Sequence, residues 1–290
     1  VGMEIDNKKD QITVVSPLEG TPAQRAGLRA GDKILAINGT STADMTTDEA
    51  VKIIRGPKGT EVTLTIARKD WAKPKEIKLV RDVIRVPSLK LEFKDYDGQK
   101  IAYLKIYQFS EIASSDFSKA AVLILNSSAK KIILDLRNNP GGYLEVAQDI
   151  AGWFLERGET VAIEDFGSKK EQNIYKAQGS ALLSGYPMVV LINQGSASAS
   201  EILAGSLRDN RGIALIGEKS FGKGSVQELE KLREGSSLKV TVAKWLTPKG
   251  KSISEVGLEP DTKVEITDKD IEAEKDPQLD KALEIIRELR

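Results

Sequence analysis

The pattern of apolar and polar positions changes near residue 82 of the chain. Before that point, short segments alternate apolar and polar residues, as strands of a half-buried antiparallel sheet do. After it, compact apolar runs alternate with stretches that repeat apolar residues at helical spacing. The pattern therefore predicts a mixed α/β (α+β) fold in two units, a small mainly β unit at 1–82 and a larger α/β core at 83–290.

In the first unit, local signals indicate where the elements begin and end. Asn38-Gly39 is a strong hairpin signal, and Thr46 with Glu49 forms a capping box that opens a helix through residue 54. Thr21 followed by Pro22 predicts a capped short helical turn. Strands are predicted at 11–15, 33–37, 61–67 and 75–80.

The second unit alternates strands and helices. We predict strands at 101–109, 131–136, 160–163, 172–177, 188–192 and 239–245. We predict helices at 114–125, capped by Ser114, and at 143–155, 198–207 and 276–289. The last helix carries one apolar side, which we interpret as packing on its own core, with an oligomer contact as the alternative: Leu279, Leu283, Ile286 and Leu289.

Three serines, Ser196, Ser198 and Ser200, lie where the apolar run 188–192 turns into a helix. The structural interpretation is a capping box, in which Ser198 accepts from a backbone N–H and Glu201 reaches back. The functional interpretation is a nucleophile at a helix amino terminus, where free N–H groups can stabilise an oxyanion. Spacing alone leaves both interpretations open.

Composition limits the groups that could activate such a serine. The chain has no histidine and no cysteine, which excludes a Ser-His-Asp triad, a thiol nucleophile and zinc sites built on those residues. Lys223, between two glycines, is a candidate base or else a solvated loop lysine. To act as a base it must be neutral, so its pKa must fall from about 10.4 to roughly 7–8 through burial.

A second glycine-rich segment, D-L-R-N-N-P-G-G at 135–142, follows a predicted buried strand. The simpler interpretation is a tight strand-to-helix connection. Alternatively, Gly141 and Gly142 expose backbone N–H groups toward a ligand.

The segments N-Q-G-S-A-S-A-S-E-I and G-E-K-S-F-G-K-G-S-V-Q resemble the C-terminal processing peptidases, serine proteases with a Ser–Lys dyad and an embedded PDZ domain. The resemblance implies that Ser198 is the nucleophile, that Lys223 is the base and that Gln227 orients the lysine. It further implies an oxyanion hole made by the Ala199 amide and that of Gly141 or Gly142. Glu201 and Asp209 also match acidic positions of the family, which we interpret as structural support.

The segment P-A-Q-R-A-G-L-R-A-G-D-K-I-L-A-I-N-G at 22–39 resembles a PDZ signature. Such domains add a peptide C-terminus to a sheet edge and hold its carboxylate with backbone N–H groups. The resemblance places this loop and strand at Gly2, Met3, Glu4 and Ile5, with the helix at 47–55 as the other wall. The alternative is that the unit only docks against its neighbour.

The expected function is therefore a serine endopeptidase that cleaves proteins or peptides with free C-termini, without metal or cofactor. Lys plus Arg and Asp plus Glu are equal at 43 each, which gives no basic field for nucleic acid. Family resemblance implies an extracytoplasmic location and a targeting segment ahead of this chain, and leaves membrane attachment and a homo-oligomer open. Two other classes are a catalytically silent PDZ adaptor and, more weakly, an acyl-CoA-type enzyme.

Overall fold

The computed structural model describes residues 1–8, 10–84, 87–167, 171–231, 237–273 and 275–289, and its mixed α/β architecture confirms the predicted fold class. The amino-terminal sheet is antiparallel in the order β1-β2-β3-β5-β6, with β4 paired to β3. Its strands are β1 (Met3–Lys8), β2 (Gln11–Pro17), β3 (Lys33–Ile37), β4 (Thr40–Ser41), β5 (Glu61–Ala67) and β6 (Lys75–Val80). Two helices complete this unit, α1 (Pro22–Arg25) and α2 (Thr47–Ile54).

The predicted hairpin turn and capping box of this unit are present in the structure, and the predicted Thr21 cap is not. Asn38 and Gly39 both have positive φ, as a two-residue hairpin turn requires, and they join β3 to β4. Both halves of the Thr46–Glu49 capping box are present. The Thr21 side chain accepts no hydrogen bond from the helix, so the predicted cap is wrong. Its hydroxyl donates instead to the carbonyls of Gly2 and Leu18.

The central sheet of the larger unit has the order β16-β13-β12-β9-β8-β7, parallel throughout except for the β7–β8 pair. Its strands are β7 (Leu89–Tyr96), β8 (Gln99–Ile106), β9 (Lys131–Asp135), β12 (Met188–Ile192), β13 (Ala214–Gly217) and β16 (Thr262–Lys263). A third, antiparallel sheet has the order β11-β10-β15-β14. Its strands are β10 (Thr160–Asp165), β11 (Asn173–Lys176), β14 (Ser225–Lys231) and β15 (Ser237–Leu246).

Helices cover both faces of the central sheet. One face packs against α3 (Ala113–Leu125), α4 (Leu144–Ala151) and α5 (Ala199–Arg211), and the other against α7 (Pro277–Glu288). Alternate residues of one strand point to opposite faces, so Val190 joins the first core and Val189 the second. A short helix, α6 (Asp268–Glu272), precedes α7. Leu283 and Ile286 are buried against the sheet, so the apolar side of α7 does pack on its own core.

Two expectations for this unit differ from the structure. The helix α3 begins at Ala113 after Ile112, and the Ser114 side chain contacts Asp149 instead of capping the helix. The β7–β8 hairpin was not predicted, although Asp97 and Gly98 both take positive φ at its turn. Asp-Gly is a hairpin signal in sequence, so this element was predictable.

The amino-terminal sheet docks through β1 and β2 on the end of the central sheet where the serine-containing turn lies. Neighbouring residues of β2 point to opposite sides, so Val14 faces its own core while Val15, at a register shift in the β1–β2 pair, packs with Ala197 and Phe221. The Ser16 hydroxyl donates to the Asn138 carbonyl at 2.7 Å. These contacts bring β1 next to the candidate site.

Candidate active site

The serine turn, residues 193–198, connects β12 to α5. Ser198 has φ +55° and ψ −118°, a conformation that costs a non-glycine residue on the order of 1–3 kcal/mol. A strained residue between a strand and a helix resembles the turn that exposes the nucleophile in α/β-hydrolases. Ala199 begins the helix, so its N–H belongs to the first turn, whose amides have no partner inside the helix.

Contacts in this turn distinguish the three serines. The Ser196 hydroxyl donates to the Leu136 carbonyl at 2.8 Å, and the Ser200 hydroxyl donates to the Asn139 carbonyl at 2.9 Å. Both side chains are fully buried, whereas Ser198 is partly exposed. Only the Ser198 hydroxyl is thus open to an incoming ligand.

The glycine loop, residues 138–142, lies directly against the serine turn. Gly141 has φ +99°, and a methyl group on it would come within 2.8 Å of Cβ of Ser198 and 3.0 Å of the Ala199 nitrogen. Gly142 has φ +143°, and a methyl group there would come within 2.2 Å of the Phe109 carbonyl oxygen. Both positions therefore require glycine, because backbone conformation and packing both exclude a side chain.

The two glycine amides differ in availability. The Gly141 N–H donates to Oδ1 of Asn139 at 2.9 Å, and the Asn139 amide group is itself held by the Ile106 carbonyl at 2.8 Å. Within the described ranges, no atom accepts from the N–H of Gly142 or of Ala199. Of the two candidate glycines, Gly142 is therefore the one with an amide left for a ligand.

The lysine loop, residues 220–223, is attached to α5 through the Glu201 carboxylate. Glu201 accepts from the Ser220 hydroxyl at 2.5 Å, the Gly222 N–H at 2.7 Å and the Lys223 N–H at 3.0 Å. It also accepts from the Ser198 N–H at 2.9 Å, the reach-back contact of a capping box. Complete burial raises the pKa of Glu201 to about 7, while these four donors act in the opposite direction.

The Lys223 side chain points toward the amino-terminal sheet. Its Nζ lies 3.0 Å from Oε1 of Glu4 and 3.8 Å from Oδ2 of Asp6. Burial by itself would lower the pKa of Lys223, but the two carboxylates outweigh it and raise the pKa above its ordinary value. The lowered pKa expected for a base is therefore absent in this conformation, because strand β1 supplies counterions to the ammonium group.

The even-numbered residues of β1 face the larger unit. Alternation along a strand puts Glu4, Asp6 and Lys8 on one side, and all three side chains contact the lysine loop. The Lys8 Nζ is 2.9 Å from the Phe221 carbonyl and 4.2 Å from the centroid of its ring. Ile5, on the opposite side, is buried in the core of the amino-terminal unit.

The predicted peptide-binding segment lies at the edge of the amino-terminal sheet. In the described sheet, β1 pairs with β2 on one side and ends the strand order on the other, and α2 contacts β1. Gly2, with φ +79°, places its carbonyl against the Leu18 amide at 2.9 Å, and Met3 begins the strand. An edge strand beside a helix can accept an extended peptide.

Two further residues complete the predicted site. Gln227 lies in β14 opposite Thr241, and its side chain lies outside what the structure describes. Asp209 accepts from the Lys249 amide at 3.0 Å, so it holds a turn beyond the end of β15. In the described part of the chain, no cluster of three or more acidic residues could hold a metal ion.

Sequence reasoning missed the roles of Asp6, Asn139 and Ser220. Alternation along β1 indicated that Glu4 and Asp6 share a face, but no local signal identifies the surface which that face meets. Asn139 and Ser220 act through side-chain hydrogen bonds to backbone and carboxylate groups distant in sequence. Periodicity and caps carry no information about such contacts.

Two segments of the chain match known protein families. Residues 100–264 match peptidase family S41, and residues 13–68 match the PDZ domain. The larger match contains the glycine loop, the serine turn and the lysine loop. The PDZ match begins after β1 (Met3–Lys8), so the strand that contacts Lys223 lies outside it.

Two curated relatives cover most of the chain. Over 91% of its own length, this chain is 42% identical to the carboxy-terminal-processing protease of Bartonella bacilliformis. Over 99% of its own length, it is 39% identical to the carboxyl-terminal-processing protease of Synechocystis sp.. The chain spans 61% and 68% of the length of these relatives.

A solved structure has the same fold. The photosystem II D1 C-terminal processing protease superposes with a TM-score of 0.85 at 30% identity, covering 91% of this chain and 72% of that one. The matched segments, the relatives and this superposition lead to one conclusion: the chain belongs to peptidase family S41, among the carboxyl-terminal processing proteases, and carries a PDZ domain.

Proposed function

We propose that this protein is a serine endopeptidase in which Ser198 is the nucleophile and Lys223 the general base. The observation that carries the proposal is the strained, partly exposed Ser198 beside two available amides, those of Gly142 and Ala199. Ser196 and Ser200 are buried in structural contacts and offer no competing hydroxyl.

The reaction follows from these groups. Neutral Lys223 takes the hydroxyl proton as Oγ of Ser198 attacks the scissile carbonyl carbon, and the Gly142 and Ala199 N–H groups stabilise the oxyanion. The Lys223 ammonium then donates its proton to the leaving amine as the C–N bond breaks. Water then attacks the acyl ester and loses a proton to Lys223, and the Lys223 ammonium returns that proton to Oγ of Ser198 as the ester C–O bond breaks. Gln227 orients the lysine in this proposal.

The arrangement of Lys223 supports a resting state. A lysine paired with Glu4 at 3.0 Å is protonated and cannot accept the Ser198 proton. Glu4 lies in the edge strand to which a PDZ ligand would add. We propose that a captured substrate tail shifts β1, separates Glu4 and Asp6 from Lys223, and so permits catalysis.

The substrates in this proposal are proteins with free C-termini, cleaved near that end. The curated relatives are named as processing proteases, and the structural relative as a protease of the D1 C-terminus. The extracytoplasmic location, membrane attachment of a longer protein and a homo-oligomer stay predictions. Among the described helices, none is long and apolar enough to cross a membrane.

One observation favours a second candidate, a PDZ adaptor on a silent peptidase scaffold. If the Lys223–Glu4 pair never opened, the PDZ domain would bind tails and release no product. Family membership gives no support to the acyl-CoA-type alternative.

Cleavage of an unfolded protein tests the proposal. We expect Ser198→Ala and Lys223→Ala to abolish the wild-type activity. Lys219→Ala is the matched lysine control, because Lys219 lies next to the lysine loop and pairs with Glu259 at the surface. Cleavage that survives Ser198→Ala would exclude this nucleophile. Tail binding without cleavage, even after Glu4→Gln/Asp6→Asn, would establish the adaptor.

A further inference from the structure

We propose that Glu201 is a positioning residue that holds the lysine loop against the serine turn as one preassembled unit. Switching between resting and active states then requires movement of the Lys223 side chain and not of the loop backbone. This inference rests on the proposed function and deepens it, since it assigns the element that fixes the dyad's geometry.

The first support is the set of donors around the carboxylate. An ionised carboxylate offers about four acceptor sites. Here four donors converge on Glu201, one from the serine turn at Ser198 and three from the lysine loop. The donors include the backbone N–H groups of both Ser198 and Lys223. Glu201 therefore links the main chain at the nucleophile to the main chain at the base.

The second support is burial. Glu201 is 0% exposed, so water does not compete for its acceptor sites. A buried carboxylate is costly unless its oxygens are hydrogen-bonded, and the converging donors meet that requirement. The Ser220 hydroxyl that donates to Glu201 also accepts from the Leu258 N–H at 2.6 Å, which ties the same network to a third segment.

The third support is the contrast between backbone and side chain in the lysine loop. The Phe221 N–H donates to the Ser196 carbonyl at 3.0 Å, and the Gly222 carbonyl accepts from the Glu255 N–H at 2.9 Å. The loop backbone is thus bonded on both sides. Among the residues that the structure describes, the Lys223 ammonium contacts only two side chains of β1, Glu4 and Asp6. Breaking those two contacts frees the ammonium while its backbone stays anchored.

Glutamine cannot reproduce this role. The carboxamide of Glu201→Gln has one accepting oxygen, and its NH₂ group would face N–H donors. One of the two donor pairs would lose its acceptor, either Ser198 with Lys223 at Oε2 or Ser220 with Gly222 at Oε1, and the link between the two segments would loosen. Misplacement of about 1 Å can cost roughly 10²-fold in rate.

The experiment compares Glu201→Gln with Glu164→Gln in the full chain. Glu164 is another buried carboxylate, which accepts from Asn173 and Tyr175 and lies in β10, outside the site. We expect Glu201→Gln to lower kcat about 10²-fold with KM little changed. We expect faster amide hydrogen exchange in that variant at whichever of Gly222 and Lys223 loses its accepting oxygen. The control should keep both the kcat and the exchange rates of the wild type.

Each outcome decides the inference. Unchanged exchange at Gly222 and Lys223, or kcat retained in Glu201→Gln, would overturn it. If Glu201→Gln does not fold, Glu201→Asp keeps the charge but cannot reach all four donors, and it should show the same kcat loss in weaker form. A wild type that cleaves nothing would instead refute the proposed function, and hydrogen exchange would then decide alone whether Glu201 links the two segments.

Discussion

Neutralising the two carboxylates of β1 should activate the enzyme and shift its pH dependence. Glu4→Gln/Asp6→Asn removes both charges that face Lys223 while nearly preserving side-chain size. Burial of the lysine remains, and burial alone lowers its pKa. We therefore expect a larger fraction of neutral Lys223 at any given pH.

The geometry gives the size of the effect. The Lys223–Glu4 contact is a charged hydrogen bond at 3.0 Å, for which about 2 kcal/mol is typical. The Asp6 contact at 3.8 Å is too long for a hydrogen bond, and about 1 kcal/mol is typical of a partly exposed ion pair. Together, about 3 kcal/mol corresponds to a factor of about 10² in the equilibrium between the protonated and neutral forms of Lys223.

The assay is kcat/KM as a function of pH for a quenched peptide with a free C-terminus. A lysine base is active when deprotonated, so the activity of the wild type should rise with pH as Lys223 loses its proton. In the double variant, this rise should occur at lower pH, because the carboxylates that raise the pKa of Lys223 are gone. Below both pKa values, activity should be about 10²-fold higher than that of the wild type.

Glu19→Gln is the matched control for this experiment. Glu19 is also a PDZ carboxylate that contacts the larger unit, but its partners are Lys105 and Tyr107. Its neutralisation should leave the pH profile unchanged. If the profile of the double variant coincides with that of the wild type, Glu4 and Asp6 do not control the protonation of Lys223, and the proposed resting state is wrong.

Three further predictions follow from the site and its supports. Gly142→Ala should lower activity by at least about 10²-fold in the peptide assay, because its methyl group would collide with the Phe109 carbonyl and displace the Gly142 N–H from the oxyanion. Wild-type activity in this variant would exclude Gly142 as an oxyanion donor. Arg137→Met should lower the free energy of unfolding in urea by about 3–5 kcal/mol, because it leaves the fully buried Asp135 carboxylate without its cation; an unchanged midpoint would contradict this. The pKa of Glu201 in the folded state is raised to about 7, so folding binds a proton, and the free energy of unfolding should fall by about 3 kcal/mol in total as pH rises from about 4.5 to about 7. Glu201→Gln should remove this pH dependence, which urea unfolding at several pH values measures.

Much of the fold was predictable because its signals are local. The hairpin at Asn38-Gly39 and the capping box at Thr46 involve residues within a few positions of one another, and both occur as predicted. Errors arose where a side chain found a distant partner. Thr21 contacts Gly2 instead of capping its helix, and Ser114 contacts Asp149.

In the candidate site, too, local features were predictable from the sequence and long-range contacts were not. The absence of histidine and cysteine already restricted the chemistry to a serine with a lysine, carboxylate or tyrosine base. The strand-to-helix turn at Ser198 followed from periodicity, and the structure places it there. The sequence could not decide which glycine amide is available, because the Asn139 side chain occupies that of Gly141.

The sequence by itself predicted the fold class, most of the longer helices and strands, and the short set of residues proposed for acyl transfer. Tertiary structure decided which of these groups is accessible, bonded or charged. Ser196 and Ser200 are closed off by carbonyls about 60 residues away, and Lys223 is paired with a carboxylate 219 residues before it. Propensity and capping depend on neighbours along the chain, whereas protonation and the availability of an amide depend on whichever groups folding brings within about 3 Å.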